Sequence, residues 1–199
     1  MSSHYKQLVS CEKRLRRTFI TETVKLNPTT KTSQFKILSY RLLAHAEIEY
    51  YIENCILAKV KIEKEKYVSR GVISPCIASL IAYSNASFPK PACRLADVST
   101  RNDLGHRINY VLSKFENNIR KNNGIKEQDV IPLLISIGID YNQISQTLLN
   151  NLSSYGRYRG AAAHQSTKIQ QLINPNDEIS ILNQIITQLE DIDKLIINI

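Results

Sequence analysis

From Phe35 to Tyr67 the chain runs without a single glycine or proline, FKILSYRLLAHAEIEYYIENCILAKVKIEKEKY, and closes in a highly charged tail. Those two residues are the strongest breakers of helix interiors, so their absence over this distance predicts one long helix. Ser33 is its expected cap. A helix of that length draws its stability from burying an apolar sector against other helices. The flanking sequence supplies them. A basic first helix is expected from Ser3 towards Val24, ended by Asn27-Pro28-Thr29-Thr30. A third is expected near Ser74–Ser87, with Pro75 in its first turn. Further helical patterns cover about Asp103–Lys121, Lys126–Ile137, Tyr141–Leu152 and Asp177–Ile197, punctuated by Phe88-Pro89-Lys90-Pro91, Asn122-Asn123-Gly124 and Ile137-Gly138-Ile139. Strand alternation is scarce and no internal repeat stands out. The pattern predicts an all-α bundle of about six to eight helices, forming one domain over residues 1–199.

Composition narrows the function classes. The 199 residues are 43% hydrophobic and 22% charged, near globular averages. No apolar run approaches the roughly 20 residues that cross a bilayer. The start, MSSHYKQLVSCEKRLRR, lacks the apolar core and cleavage site of a secretory signal. A soluble, cytoplasmic protein without a membrane partner is the expectation. Cys11, Cys55, Cys76 and Cys93 form no C-x-x-C spacing and meet no matching histidine pair, so zinc is not expected, and the intracellular expectation argues against disulfides. Cys55 lies in an apolar helical pattern and is expected to pack as a small hydrophobe. With the phosphate-loop motifs absent as well, no metal or cofactor is expected.

The charge points to a partner. Lys+Arg 26 against Asp+Glu 18 leaves +8, a balance that favours polyanions. Up to Lys36 the bases Lys6, Lys13, Arg14, Arg16, Arg17, Lys25, Lys31 and Lys36 face only Glu12 and Glu22, whereas the last helix carries Asp177, Glu178, Glu190, Asp191 and Asp193. A solvated helix face accounts for the basic cluster equally well.

On a wheel of about 100° per residue, Ile37, Leu38, Leu42, Ala44, Ile48, Ile52, Cys55 and Ile56 share one broad apolar sector. Arg41, His45 and Glu49 fall inside it, spaced i, i+4 and i+8, so that each can reach the next. A buried charge costs several kcal/mol unless paired, which predicts an Arg–His–Glu network with satisfied hydrogen bonds. That network either fixes helix register or forms the wall of a site, in which Arg41 attracts phosphate. The stripe alone does not choose.

The second constellation is Gly156-Arg157-Tyr158-Arg159-Gly160-Ala161-Ala162-Ala163-His164. In a helix, Arg157 and His164 lie about 20° from alignment, whereas Arg159 and His164 diverge by roughly 140°. Gly156 and Gly160 loosen the backbone, so either arginine could meet the histidine in a bent turn. Arginine with histidine, and no carboxylate dyad, suits phosphodiester chemistry. Imidazole titrates near neutrality and moves a proton, while guanidinium holds a phosphate and its developing charge. RNA brings its own nucleophile, the 2′-hydroxyl. Tyr155 and Tyr158 flank Arg157 as candidates to stack a base. The R-x-x-x-x-H spacing by itself is weak, because Arg101 and His106 repeat it.

The arrangement resembles the HEPN superfamily, and within it the RiboL-PSP type, which pairs a helix reading roughly R-x-L-x-x-H-A-x-x-E with a later R-G-x-x-A-H element. This chain reads Arg41-Leu42-Leu43-Ala44-His45-Ala46-Glu47-Ile48-Glu49 and then Arg159-Gly160-Ala161-Ala162-Ala163-His164. Asn122-Asn123-Gly124-Ile125-Lys126 and Ile137-Gly138-Ile139-Asp140 resemble the intervening segments, so the similarity runs from about Lys36 to Ser166.

The resemblance implies a metal-independent RNA endonuclease of toxin or antiphage type. Arg159 and His164 would be catalytic. Arg157, Tyr158, Gly160, Arg41, His45 and Glu49 would support the site or bind RNA. It further implies a homodimer with a composite site and a possible antitoxin or defence-system partner protein. Gly160 stands where many members carry a polar residue after the arginine. The rival reading is a non-catalytic module that binds RNA or a protein through the same groove.

Overall fold

The computed structural model describes residues 1–88, 103–164 and 172–199, excepting the side chains of 159–164. Among these residues there are eight α-helices and no strand: α1 (Ser3–Phe19), α2 (Glu22–Leu26), α3 (Lys31–Arg70), α4 (Pro75–Tyr83), α5 (Leu104–Arg120), α6 (Glu127–Ser136), α7 (Gln146–His164) and α8 (Pro175–Asn198). The 40 residues of α3 make a rod roughly 60 Å long. Every other helix packs against it: α1, α2 and α8 as one group, α4, α5 and α6 as another, and α7 between α6 and α8.

Local chemistry explains the boundaries. Thr30, not Ser33, caps α3, accepting from the Ser33 N–H at 3.2 Å, which leaves Ser33 buried. Gly71 ends the helix at φ 67°, a left-handed position that glycine adopts without a Cβ penalty. Ser74 caps α4 ahead of Pro75, and Asp103 caps α5 through the His106 N–H at 2.6 Å.

Two expected helices are divided differently from the periodicity. The first breaks at extended Thr21, and the short α2 then turns onto α3 and α8 and buries Val24. The segment expected as a helix from Tyr141 is a 3-10 turn over Tyr141–Gln143, capped by Asp140, and it stops at extended Ile144. Ser145 then starts α7, its Oγ accepting from the Leu148 N–H at 3.4 Å. From there the helix runs unbroken through Gly156 and Gly160. Leu148, Leu149, Leu152 and Tyr155 are all buried, at i, i+1, i+4 and i+7. Their packing outweighs the weak helix preference of two glycines.

Polar groups in the core are paired. Asp193 is fully buried and accepts from the Ser2 N–H at 2.6 Å and the Tyr51 hydroxyl at 3.2 Å, tying the start of α1 to the far end of α8. Cys55 is buried beside it, its thiol pushed up to about 12, first by burial and then by the Asp193 charge.

Glu63, 1% exposed, lies 3.1 Å from Lys59 Nζ and 2.8 Å from Lys66 Nζ. Burial pushes its carboxyl up, but hydrogen bonds from Lys66, Ser74 and Lys59 outweigh that and hold it below the ordinary carboxylate value. A carboxylate depressed in the folded state stabilises above its unfolded value, roughly 4.3 for Glu. That contribution disappears as pH falls through the folded value. Glu63→Gln is therefore expected to lower the melting temperature at pH 7 and to flatten its decline between about pH 5 and 3. A melting series with the parent's slope in that interval refutes this account.

Candidate functional site

Three helices meet around Arg41. Its Nε donates to both oxygens of Glu178, at 3.0 and 3.1 Å, and its Nη2 donates to Glu178 Oε2. Glu178 comes from the first turn of α8 and is 1% exposed. The planar guanidinium grips a carboxylate from two directions at once, a geometry that lysine cannot reproduce. From α7, the Tyr158 ring covers the guanidinium at 5.0 Å, a cation–π contact. The Tyr155 hydroxyl donates to the Arg41 carbonyl at 3.4 Å. Burial, then the Glu178 charge, holds that phenol well above its ordinary value, so it remains a hydrogen-bond donor.

One helical turn along α3, the His45 ring stacks on Tyr155 with centroids 6.4 Å apart and planes 14° from parallel. Its Nδ1 lies 3.8 Å from Glu49 Oε2. His45 is 2% exposed, whereas Arg41 and Glu49 are half-buried. The three residues therefore do not form one self-contained ladder. Arg41 turns to Glu178, and His45 packs between Glu49 and Tyr155. Periodicity on α3 could not reveal Glu178 or Tyr155, because both arrive from distant segments. Tyr155 is fully buried, so it stacks on imidazole rather than on a base.

Arginine and tyrosine neighbours on α7 face different partners, about 100° apart around the helix. Tyr158 covers Arg41, while Arg157 is exposed on the α6 side and its Nη2 donates to Ser154 Oγ at 3.0 Å. Gly156 is what lets α6 come near: a Cβ there would sit 3.0 Å from Lys126 Cγ, tighter than side chains ordinarily pack. The glycine expected to loosen a bent turn instead makes room for the Lys126 stem.

Arg159, Gly160 and His164 fall within α7, but their side chains lie outside the described residues. With the helix continuous to His164, register places Arg157 and His164 near one line and Arg159 about 140° away from that histidine. Arg101 of the alternative pair lies outside the described residues, and His106 is exposed at the start of α5. No cluster of three or more metal-ligating side chains occurs among the described residues, and no described helix is long and apolar enough to cross a membrane.

A family model described as RiboL-PSP-HEPN matches residues 10–198. The match takes in most of α1 and nearly all of α8 as well as the Arg41 and His164 segments, a wider span than the motifs alone suggested. No curated protein and no solved structure gives a significant match.

Proposed function

The chain belongs to the RiboL-PSP-HEPN family, and from that membership we propose that it is a metal-independent RNA endonuclease, acting as a toxin or antiphage effector in the cytoplasm. His164 acts as general acid or base, taking the 2′-hydroxyl proton or giving one to the leaving 5′-oxygen. Arg159 holds the scissile phosphate and stabilises the charge that develops on it. Arg157 lies near the histidine in register and is a second phosphate ligand. Gly160 supplies no side chain of its own beside the arginine.

The observation that carries this reading is the family match across residues 10–198, which spans the whole Arg159–His164 element. The unbroken α7 supports a homodimer. One chain's Arg159 and His164 lie on different faces of the helix, so two helix ends brought together can supply both groups to one phosphate. Arg41, His45 and Glu49 contribute by position: Arg41 and His45 meet α7 at Tyr155 and Tyr158, Arg41 holds α8 through Glu178, and Glu49 lies against His45. A defence-system or antitoxin protein is the expected protein partner, and the exposed Lys13, Arg14 and Arg17 of α1 add to the field that draws RNA.

Cleavage of a single-stranded RNA by the purified chain is expected to persist in excess EDTA. The products should end in a 2′,3′-cyclic phosphate (or its hydrolysed form) and a 5′-hydroxyl. Activity that vanishes on chelation and returns with magnesium overturns the mechanism. The absence of a polar residue after Arg159 favours one rival, a non-catalytic RNA-binding or protein-interaction module. An RNA that is bound but never cut supports that rival.

A further inference from the structure

Beside α7, on the face that carries Arg157, lies an open groove of about 660 Å³. That volume falls within the range of roughly 300–1,000 Å³ seen for small-molecule sites. Lys126 and Glu127 line it from the start of α6, Ile131 and Pro132 from the next turn, Tyr141 from the 3-10 turn, and Arg157 from α7. The wall is built rather than accidental. The Glu127 N–H donates to Ser153 Oγ of α7 at 3.0 Å, and the Lys126 N–H donates to Asp129 Oδ2 at 3.0 Å. Gly156 is the point at which the Lys126 stem crosses α7. Tyr141 is 52% exposed and stands on a turn fixed by Asp140, which accepts from the Asn142 N–H at 2.8 Å.

We propose that this groove binds one unstacked base of the RNA next to the cleaved bond, and that it prefers guanine. Three features argue for that occupant. An exposed aromatic ring and the apolar side chains of Ile131 and Pro132 in the lining suit a base, since stacking on aromatic side chains is how single strands are held. Two cations, Lys126 and Arg157, border the groove and suit the phosphates on either side of that base. Glu127 lines the same groove, and its carboxylate accepts hydrogen bonds and donates none. The Watson–Crick edge of guanine alone presents two adjacent donors, N1–H and the 2-amino group, which match two carboxylate oxygens. Adenine and cytosine offer a single donor beside an acceptor, and uracil offers one donor between two acceptors.

The inference rests on the RNA reading given above and deepens it, so binding and cleavage are measured separately. In the 199-residue chain carrying His164→Ala, fluorescent hexaribonucleotides containing one guanine or one adenine in a uridine background are titrated. The guanine oligonucleotide is expected to bind several-fold more tightly. Tyr141→Ala should weaken both by on the order of tenfold, and Tyr141→Phe should restore binding by keeping the ring. Glu127→Gln should shrink the preference for guanine to less than about twofold while adenine binding stays near the parent value. Unchanged dissociation constants in Tyr141→Ala and Glu127→Gln overturn the groove assignment and leave the RNA reading standing. A guanine preference that survives Glu127→Gln overturns the assigned role of the carboxylate. Failure of the His164→Ala chain to bind any RNA overturns both.

Discussion

His164→Ala is expected to slow RNA cleavage by about 10²- to 10⁴-fold, the usual contribution of a positioned general acid or base. Its melting temperature and far-UV circular dichroism should match the parent. The separation of the two readouts matters because α7 also carries the Tyr155 and Tyr158 contacts that secure the bundle. Arg159→Ala should lose activity to a similar degree, with RNA affinity reduced as well, because in the proposed mechanism the guanidinium contacts phosphate before and during reaction. Arg157→Ala should be milder. A composite site adds a stricter expectation: mixing inactive Arg159→Ala with inactive His164→Ala should recover activity, since a mixed dimer retains one complete set of groups. Full activity in His164→Ala defeats the proposed chemistry, and failure of the mixture to recover defeats the shared site.

Arg41→Ala is expected to destabilise the protein by about 3–5 kcal/mol, because it leaves Glu178 charged, buried and unpaired. For a chain of this size that corresponds to a fall in melting temperature of roughly 6–20 °C. Glu178→Ala should be comparable, stranding the guanidinium under Tyr158. The double change Arg41→Met with Glu178→Leu should be much less harmful than the two single losses combined, since no uncompensated charge remains. A catalytic role for Arg41 predicts the reverse: normal melting for Arg41→Ala and a selective loss of RNA cleavage. The carboxylate bound across two guanidinium nitrogens, Nε and Nη2, and a side chain only 11% exposed, favour the structural outcome.

The two families of polar residue show where sequence reasoning was strong and where it stopped. On α3, periodicity located Arg41, His45 and Glu49 inside an apolar sector and required partners for them. The partners themselves could not be read. Glu178 and Asp193 carry the same local signature as Asp177 and Asp191, acids on an amphipathic last helix. Yet Glu178 and Asp193 are buried, and the other two are exposed. Which acids face inward depends on how α8 is rotated against α1, α3 and α7, a quantity set by packing at distant positions. Tyr155 failed for the same reason: a tyrosine beside an arginine suggests a stacking platform, and only burial against His45 removes that option.

On α7 the difficulty lay in the backbone. Two glycines in five residues predict flexibility, because each lacks the Cβ that restricts φ and ψ. Burial of Leu148, Leu149, Leu152 and Tyr155 supplies more free energy than those glycines forfeit, and the helix continues through them. The groove bordering Arg157 was equally hidden. It combines Lys126 and Glu127, Tyr141 and Arg157, which come from three separate segments.

What the sequence determined alone is the helical class, the length of the central helix, the polar stripe within it and the family to which the arginine–histidine element points. These depend on spacing along one chain, and helical periodicity is a local property. The tertiary structure decided which charges pair, which tyrosines are buried, and which face of α7 borders a groove. Those outcomes depend on the relative rotation of helices far apart in sequence. That rotation is fixed by the total burial and hydrogen bonding of the bundle, which no window of consecutive residues contains.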